Sequence, residues 1–198
     1  MFVSFEGLDG SGKTTQARLL ADRLRAEGRE VVETREPGGT RLGEEVRALL
    51  LEGGDVSPWA EAALFAAARA QLVEEVIRPA LERGADVVCD RYLDSSLAYQ
   101  GLARGLGVER VLELNLAATG ELLPDRTFLL LVAPEEAAGR REDEPDRIER
   151  EGDGFAARVD QAYRELAESF AGRIVAVDGS RGPDELADLI RERLRDVA

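Results

Sequence analysis

Gly7-Leu8-Asp9-Gly10-Ser11-Gly12-Lys13-Thr14 contains the only lysine of a 198-residue chain whose 26 basic residues are otherwise all arginine. A short apolar run, Phe2 to Phe5, leads into it. Behind it Ala17, Leu20, Ala21 and Leu24 recur at helical spacing, so the pattern predicts a strand, a glycine-rich turn and a helix starting near Lys13. Gly-x-x-x-x-Gly-Lys-Thr in that setting is the signature of a phosphate-binding P-loop. Glycines at 7, 10 and 12 let backbone N–H groups turn inward around an anion, and the helix start, with Ser11 and Thr15 beside it, adds positive potential. A compact ammonium at Lys13 suits the β- and γ-oxygens, which a forked guanidinium does not replace. The Thr14 hydroxyl is a candidate ligand for Mg²⁺, and ATP–Mg²⁺ is the expected occupant. A ligand-free strand-to-helix turn is the plainer alternative, but spacing, context and the lone lysine all speak against it.

Composition narrows the chemistry further. The chain has no histidine, which excludes Ser-His-Asp and Cys-His nucleophile systems and His-ligated zinc. A formal charge of −14 argues against non-specific nucleic-acid binding, which depends on cations neutralising phosphates. Any phosphorylated substrate needs a local cluster of positive groups. The single Cys89 cannot form an intrachain disulfide, so a reducing cytoplasm is the expected setting. Met1 runs straight into Phe2 to Glu6, unlike a signal peptide, and no stretch reaches the ~18 apolar residues of a membrane span.

No repeat, low-complexity tract or linker interrupts residues 1–198, which reads as one domain. Val31-Val32 predicts a second strand, Leu42 to Leu51 a helix stopped by Gly53-Gly54, and Trp59 to Arg83 a long helix kinked at Pro79 and ended by Gly84. Strands are predicted at Asp86 to Cys89, Phe128 to Val132 and Ile174 to Val177. Ala133 to Ala138 and Phe155 to Phe170 predict helices. A last helix opens on Pro183 with acids Asp184 and Glu185, and carries Leu186, Leu189, Ile190, Leu194 and Val197 on one face. The alternation implies an α/β fold: a five-stranded parallel sheet covered on both faces by helices.

Three further groups of residues suit the same chemistry. Val87-Val88-Cys89-Asp90 is an apolar strand ending in a carboxylate, so Asp90 could support Mg²⁺ and Arg91 could hold a phosphate bidentately. An ordinary surface ion pair is the alternative. Phe65 and Arg69 stand four apart on one helix face; a ring beside a guanidinium suits a flat heterocycle, although a core Phe next to a solvated Arg has the same spacing. Gly139 to Arg147 mixes Arg140 and Arg141 with a run of acids, as in a mobile lid or a plain solvated loop.

Taken together, these segments resemble the thymidylate kinase family, with a bacterial-type lid at about 139–152. The resemblance runs nearly end to end. It is carried by Glu6 to Thr15, by Arg35-Glu36-Pro37-Gly38-Gly39-Thr40, by Leu64-Phe65 with Arg69, by Asp90-Arg91-Tyr92 through Ser95-Ser96 to Tyr99-Gln100, and by Asp146-Arg147-Ile148-Glu149. It implies a P-loop NTPase fold and transfer of the ATP γ-phosphoryl group to dTMP, with homodimerisation. It also implies that Phe65 stacks on thymine, Arg69 reaches O4, Ser96 sits at the ring edge, and Tyr99 crowds a ribose 2′-hydroxyl. Asp9 would lie near the 3′-hydroxyl, Arg91 would hold the acceptor phosphate, and a cis Glu36–Pro37 bond would shape the loop bordering it. Gln100 falls in the same segment.

In two places the chain departs from the family pattern. Gly10 stands where some members carry an arginine, so the catalytic arginine is expected from the lid, at Arg140 with Arg141 as its substitute. That lid is expected to be mobile from Gly139 to Gly152, because its acids repel and nothing apolar anchors it. Ala68 precedes Arg69 where a polar residue is common. Among other classes, a GTPase switch is excluded because its Asn/Thr-Lys-x-Asp motif needs a second lysine. A partitioning ATPase needs another P-loop lysine. The surviving alternative is a P-loop kinase for a different small acceptor.

Overall fold

Five parallel strands form one sheet in the order β2-β3-β1-β4-β5. The computed structural model describes residues 1–141 and 144–194; Val197 and lid residues Glu142 and Asp143 lie outside them. The strands are β1 (Phe2–Glu6), β2 (Val31–Arg35), β3 (Asp86–Asp90), β4 (Arg126–Leu131) and β5 (Ile174–Asp178). The three central strands, β3, β1 and β4, are buried on both faces, and strict alternation sorts their side chains. Val3, Phe5, Val88, Phe128 and Leu130 pack on one side against α1 (Lys13–Ala26). Phe2, Val87, Cys89 and Leu129 face the other. Each of these sits where the period of two puts it.

The helices follow the apolar pattern with two instructive exceptions. α2 (Arg41–Leu51) opens on Thr40, whose hydroxyl accepts the Gly43 N–H at 3.0 Å. The run expected as one kinked helix is α3 (Pro58–Leu72), a π-helical turn Val73–Ile77, and α4 (Arg78–Glu82). The wider turn lies at the carbonyl of Glu75, which the Pro79 ring would otherwise strike, so the proline is absorbed in place. Gly84 (φ 84°) then ends the run in the left-handed region.

Two helical segments were not legible. α5 (Leu93–Ser96) runs on through a π-helical stretch Leu97–Ala103, and α6 (Val108–Thr119) follows. The buried residues of α6 are Val111, Asn115 and Thr119; two of the three are polar, so the apolar period is masked. α7 (Pro134–Gly139), α8 (Asp153–Ser169) and α9 (Pro183–Leu194) complete the fold close to expectation.

The expectation of an unanchored lid fails in its second half. Ile148 is buried in the main core cluster. The Arg147 backbone N–H donates to Leu51 O at 3.0 Å and its Nε to Leu50 O at 2.6 Å. Asp146 Oδ1 caps a short 3₁₀ turn (Glu149–Glu151), accepting N–H groups of Ile148 and Glu149. The charge run concealed one apolar anchor and a self-capped turn.

Candidate active site

β1 ends at the centre of the sheet and delivers the P-loop. A Cβ on Gly7 (φ 139°) would lie 2.5 Å from Leu130 O, and one on Gly10 (φ 86°) 2.0 Å from Ala137 O, so neither position tolerates a side chain. Gly12 (φ 95°) caps α1, whose start carries neither a side-chain cap nor an acid in its first turn. That leaves the positive end of a 14-residue helix facing a groove of about 510 Å³.

Lys13 is buried, its Nζ donating to Leu8 O at 2.7 Å and lying 3.6 Å from Asp9. Burial lowers its ammonium below the ordinary value, and Arg91 pushes the same way. Thr14 and Thr15 line the groove, and Thr14 Oγ1 donates to Asp90 Oδ2 at 2.5 Å. Ser11 is buried within the loop, its Oγ unpartnered among the described residues. A hydroxyl and a carboxylate in contact beside a phosphate groove suit Mg²⁺, which takes few protein oxygens and completes its shell with phosphate and water.

Arg91 follows β3 with φ 67°, left-handed for a residue with a side chain. Its backbone N–H donates to Phe5 O, and its guanidinium donates to Asp9 at 2.6 Å, Ser95 at 3.0 Å and Tyr163 Oη at 3.1 Å. Arg91 and Lys13 together hold the Asp9 carboxyl well below its usual range, against its burial. Glu6, which sequence reasoning used only as part of a motif, organises this corner. Its carboxylate accepts the Tyr92 and Ser95 N–H groups and the Ser95 and Tyr163 hydroxyls.

A second cavity opens beside the first. Glu36, Pro37 and Phe65 line one side of it, and Ser96, Tyr99 and Gln100 the other. The Glu36–Pro37 bond is cis, as expected. Arg69 is buried behind this wall and donates four hydrogen bonds there. Nε donates to Glu36 at 2.7 Å, Nη1 to Ser96 and Asn115, and Nη2 to Tyr92 O at 3.3 Å; Nη2 also lies 2.6 Å from the Glu36 carboxylate as an ion pair. Support for Arg69 therefore comes from α6 and the Glu36 loop, while Ala68 is simply buried. Burial pushes the Glu36 carboxyl up to about 7 against the pull of Arg69, and its Oε1 is unpartnered among the described residues.

The lid arginines separate. Gly10 lies against the backbone of α7, and Arg140, immediately after α7, lines the P-loop groove. Its guanidinium reaches Gly179 O at 3.0 Å and Glu136 at 2.6 Å. Arg141 pairs with Glu149 at 3.0 Å and faces a different groove, beside Phe155. Arg47 on α2 was missed. It lines both cavities, yet an arginine on an amphipathic helix carries no signal in sequence.

A family model described as thymidylate kinase matches residues 5–190. This chain belongs to the thymidylate kinase family. It is 50% identical to a thymidylate kinase of Bifidobacterium longum, over all of this chain and 98% of that one. Another from Symbiobacterium thermophilum is 48% identical, over all of this chain and 94% of that one. The crystal structure of thymidylate kinase from Ehrlichia chaffeensis is 35% identical with a TM-score of 0.76, covering 89% of this chain and 91% of that one. Membership makes the chain a nucleoside monophosphate kinase, a phosphotransferase of P-loop NTPase fold. Among the described residues no helix is long and apolar enough to cross a membrane.

Proposed function

We propose that this thymidylate kinase family member moves the γ-phosphoryl group of ATP reversibly onto dTMP, giving ADP and dTDP for dTTP supply. One observation carries the reading: the P-loop groove and the Phe65 pocket share Asp9, Glu36, Arg47 and Arg91. Two arginines at that junction suit a pair of phosphates brought end to end, despite the net negative charge. A phosphate monoester has its second pKa near ~6, so the acceptor is largely dianionic at neutral pH. Its oxygen attacks the γ-phosphorus, the bond to the ADP oxygen breaks, and no base is needed; hence no histidine is needed. Arg91 and Arg47 hold the acceptor phosphate, and Lys13 and Arg140 neutralise charge on the donor. Thr14 and Asp90 would hold Mg²⁺, whose chemistry here is charge neutralisation on the β- and γ-oxygens.

Phe65 stacks on the base in this reading, Ser96 lies at its edge, Tyr99 disfavours a 2′-hydroxyl and Asp9 meets the 3′-hydroxyl. Arg69 donates to O4 by releasing one of its present partners. Arg69→Ala is therefore a poor test, because it also breaks a buried pair, a loss of about 3–5 kcal/mol. Phe65→Ala is the cleaner one. Base–aromatic stacking is worth about 1–3 kcal/mol, so the KM for dTMP should rise roughly 5- to 150-fold with the KM for ATP unchanged. An unchanged dTMP KM places the base elsewhere. A homodimer in the cytoplasm belongs to the same proposal. Leu42 and Leu49 on α2 and Trp59 on α3 are exposed and support a face there, and the buried free Cys89 fits a reducing compartment.

A further inference from the structure

Glu61, in the first turn of α3, is fully buried and in contact with Gln100, which lines the Phe65 pocket. Its carboxylate accepts four N–H groups from three side chains. Oε1 takes Gln100 Nε2 at 2.8 Å and Arg104 Nε at 2.6 Å; Oε2 takes Arg104 Nη2 at 2.9 Å and Arg147 Nη2 at 2.6 Å. Arg104 is also paired with Glu151 and lies over the Phe155 ring at 4.9 Å. Two buried carboxylate–guanidinium contacts are more than a helix start needs. What distinguishes them is what they hold: Gln100 lines the pocket, and Arg147 sits between Asp146 and Ile148, which line it too.

We propose that Glu61 is a positioning residue for base selection, which fixes the Gln100 amide so that its carbonyl oxygen is offered to the pocket. The inference rests on the site reading above. A carboxylate only accepts, so it dictates which end of the amide faces it: Nε2 turns to Glu61 and Oε1 is left for a ligand. A carbonyl oxygen in the pocket demands a donor. The imide N3–H of thymine supplies one, whereas N3 of cytosine is an acceptor and would leave two acceptors opposed. Through Arg147 the same carboxylate holds the Asp146–Ile148 strap, so wall and strap share one fixed point.

The test compares kcat/KM for dTMP and dCMP in the full chain, for the parent, Glu61→Gln and Gln100→Leu, with a thermal melt of each. A glutamine at position 61 can donate or accept, so the Gln100 amide is free to turn over. The preference for dTMP over dCMP should fall at least about tenfold in Glu61→Gln, mostly through KM. Gln100→Leu should lose preference to a similar extent, and adding Glu61→Gln to it should lower preference no further. Glu61→Gln with a lowered melting temperature and full preference makes Glu61 purely structural and overturns the inference. If Glu61→Gln does not fold, Gln100→Leu decides alone, and retained preference overturns it. A parent that does not prefer dTMP contradicts the site reading itself, a separate outcome.

Discussion

Lys13→Ala should abolish turnover while leaving the melting temperature close to that of the parent. The ammonium is buried at the mouth of α1, 2.7 Å from a loop carbonyl and beside Asp9, so the loop holds it in place before any nucleotide arrives. No other lysine exists to replace it. The remaining cations of the groove, Arg35, Arg47, Arg91 and Arg140, are guanidiniums arriving from other elements. Losing a preorganised charge at transferring phosphates costs at least about 10³ in kcat. Lys13→Arg should not rescue it, because a wider forked head does not fit a site this buried. Stability should hold because an ammonium kept below its ordinary pKa by burial contributes little to folding. An ADP-release assay with a thermal melt checks both; kcat within about tenfold of the parent rejects the P-loop assignment.

Arg140→Ala should lower kcat by about 10³–10⁵, the range for an arginine supplied to phosphoryl transfer in P-loop enzymes, with little change in the KM for dTMP. Gly10 explains why the charge comes from here. A side chain at that position would collide with Ala137 O, and the helix that excludes it is the one that ends one residue before Arg140. Arg141→Ala should cost far less, since Arg141 pairs with Glu149 on another groove. Replacing both should match Arg140→Ala alone. Full kcat in Arg140→Ala, or a change confined to KM, assigns the lid segment a covering role only.

Most of the sheet was legible because its strands are short apolar runs with sharp ends: Phe2 to Phe5, Asp86 to Cys89 and Phe128 to Val132 each matched within two residues. The P-loop was legible because glycine, lysine and threonine at that spacing have few other uses. α6 was not, since its inward face is built on Asn115 and Thr119 to meet Arg69 and α4. The lid's anchoring was hidden by a single Ile148 in a run of charges. Arg69 shows a different limit. Spacing put it near Phe65, but only the fold reveals that Glu36, Ser96, Asn115 and Tyr92 O already accept four of its hydrogen bonds. Glu61 and Arg47 carried no signal at all, because an acid or an arginine on a helix is ordinarily solvated.

The identity of the acceptor is read from ADP release from ATP–Mg²⁺ with dTMP, dUMP, dCMP, dGMP and dAMP offered separately. dTMP should give the highest kcat/KM, with dCMP, dGMP and dAMP lower by at least about 10². A purine nucleotide or dCMP used as well as dTMP would contradict dTMP as the acceptor.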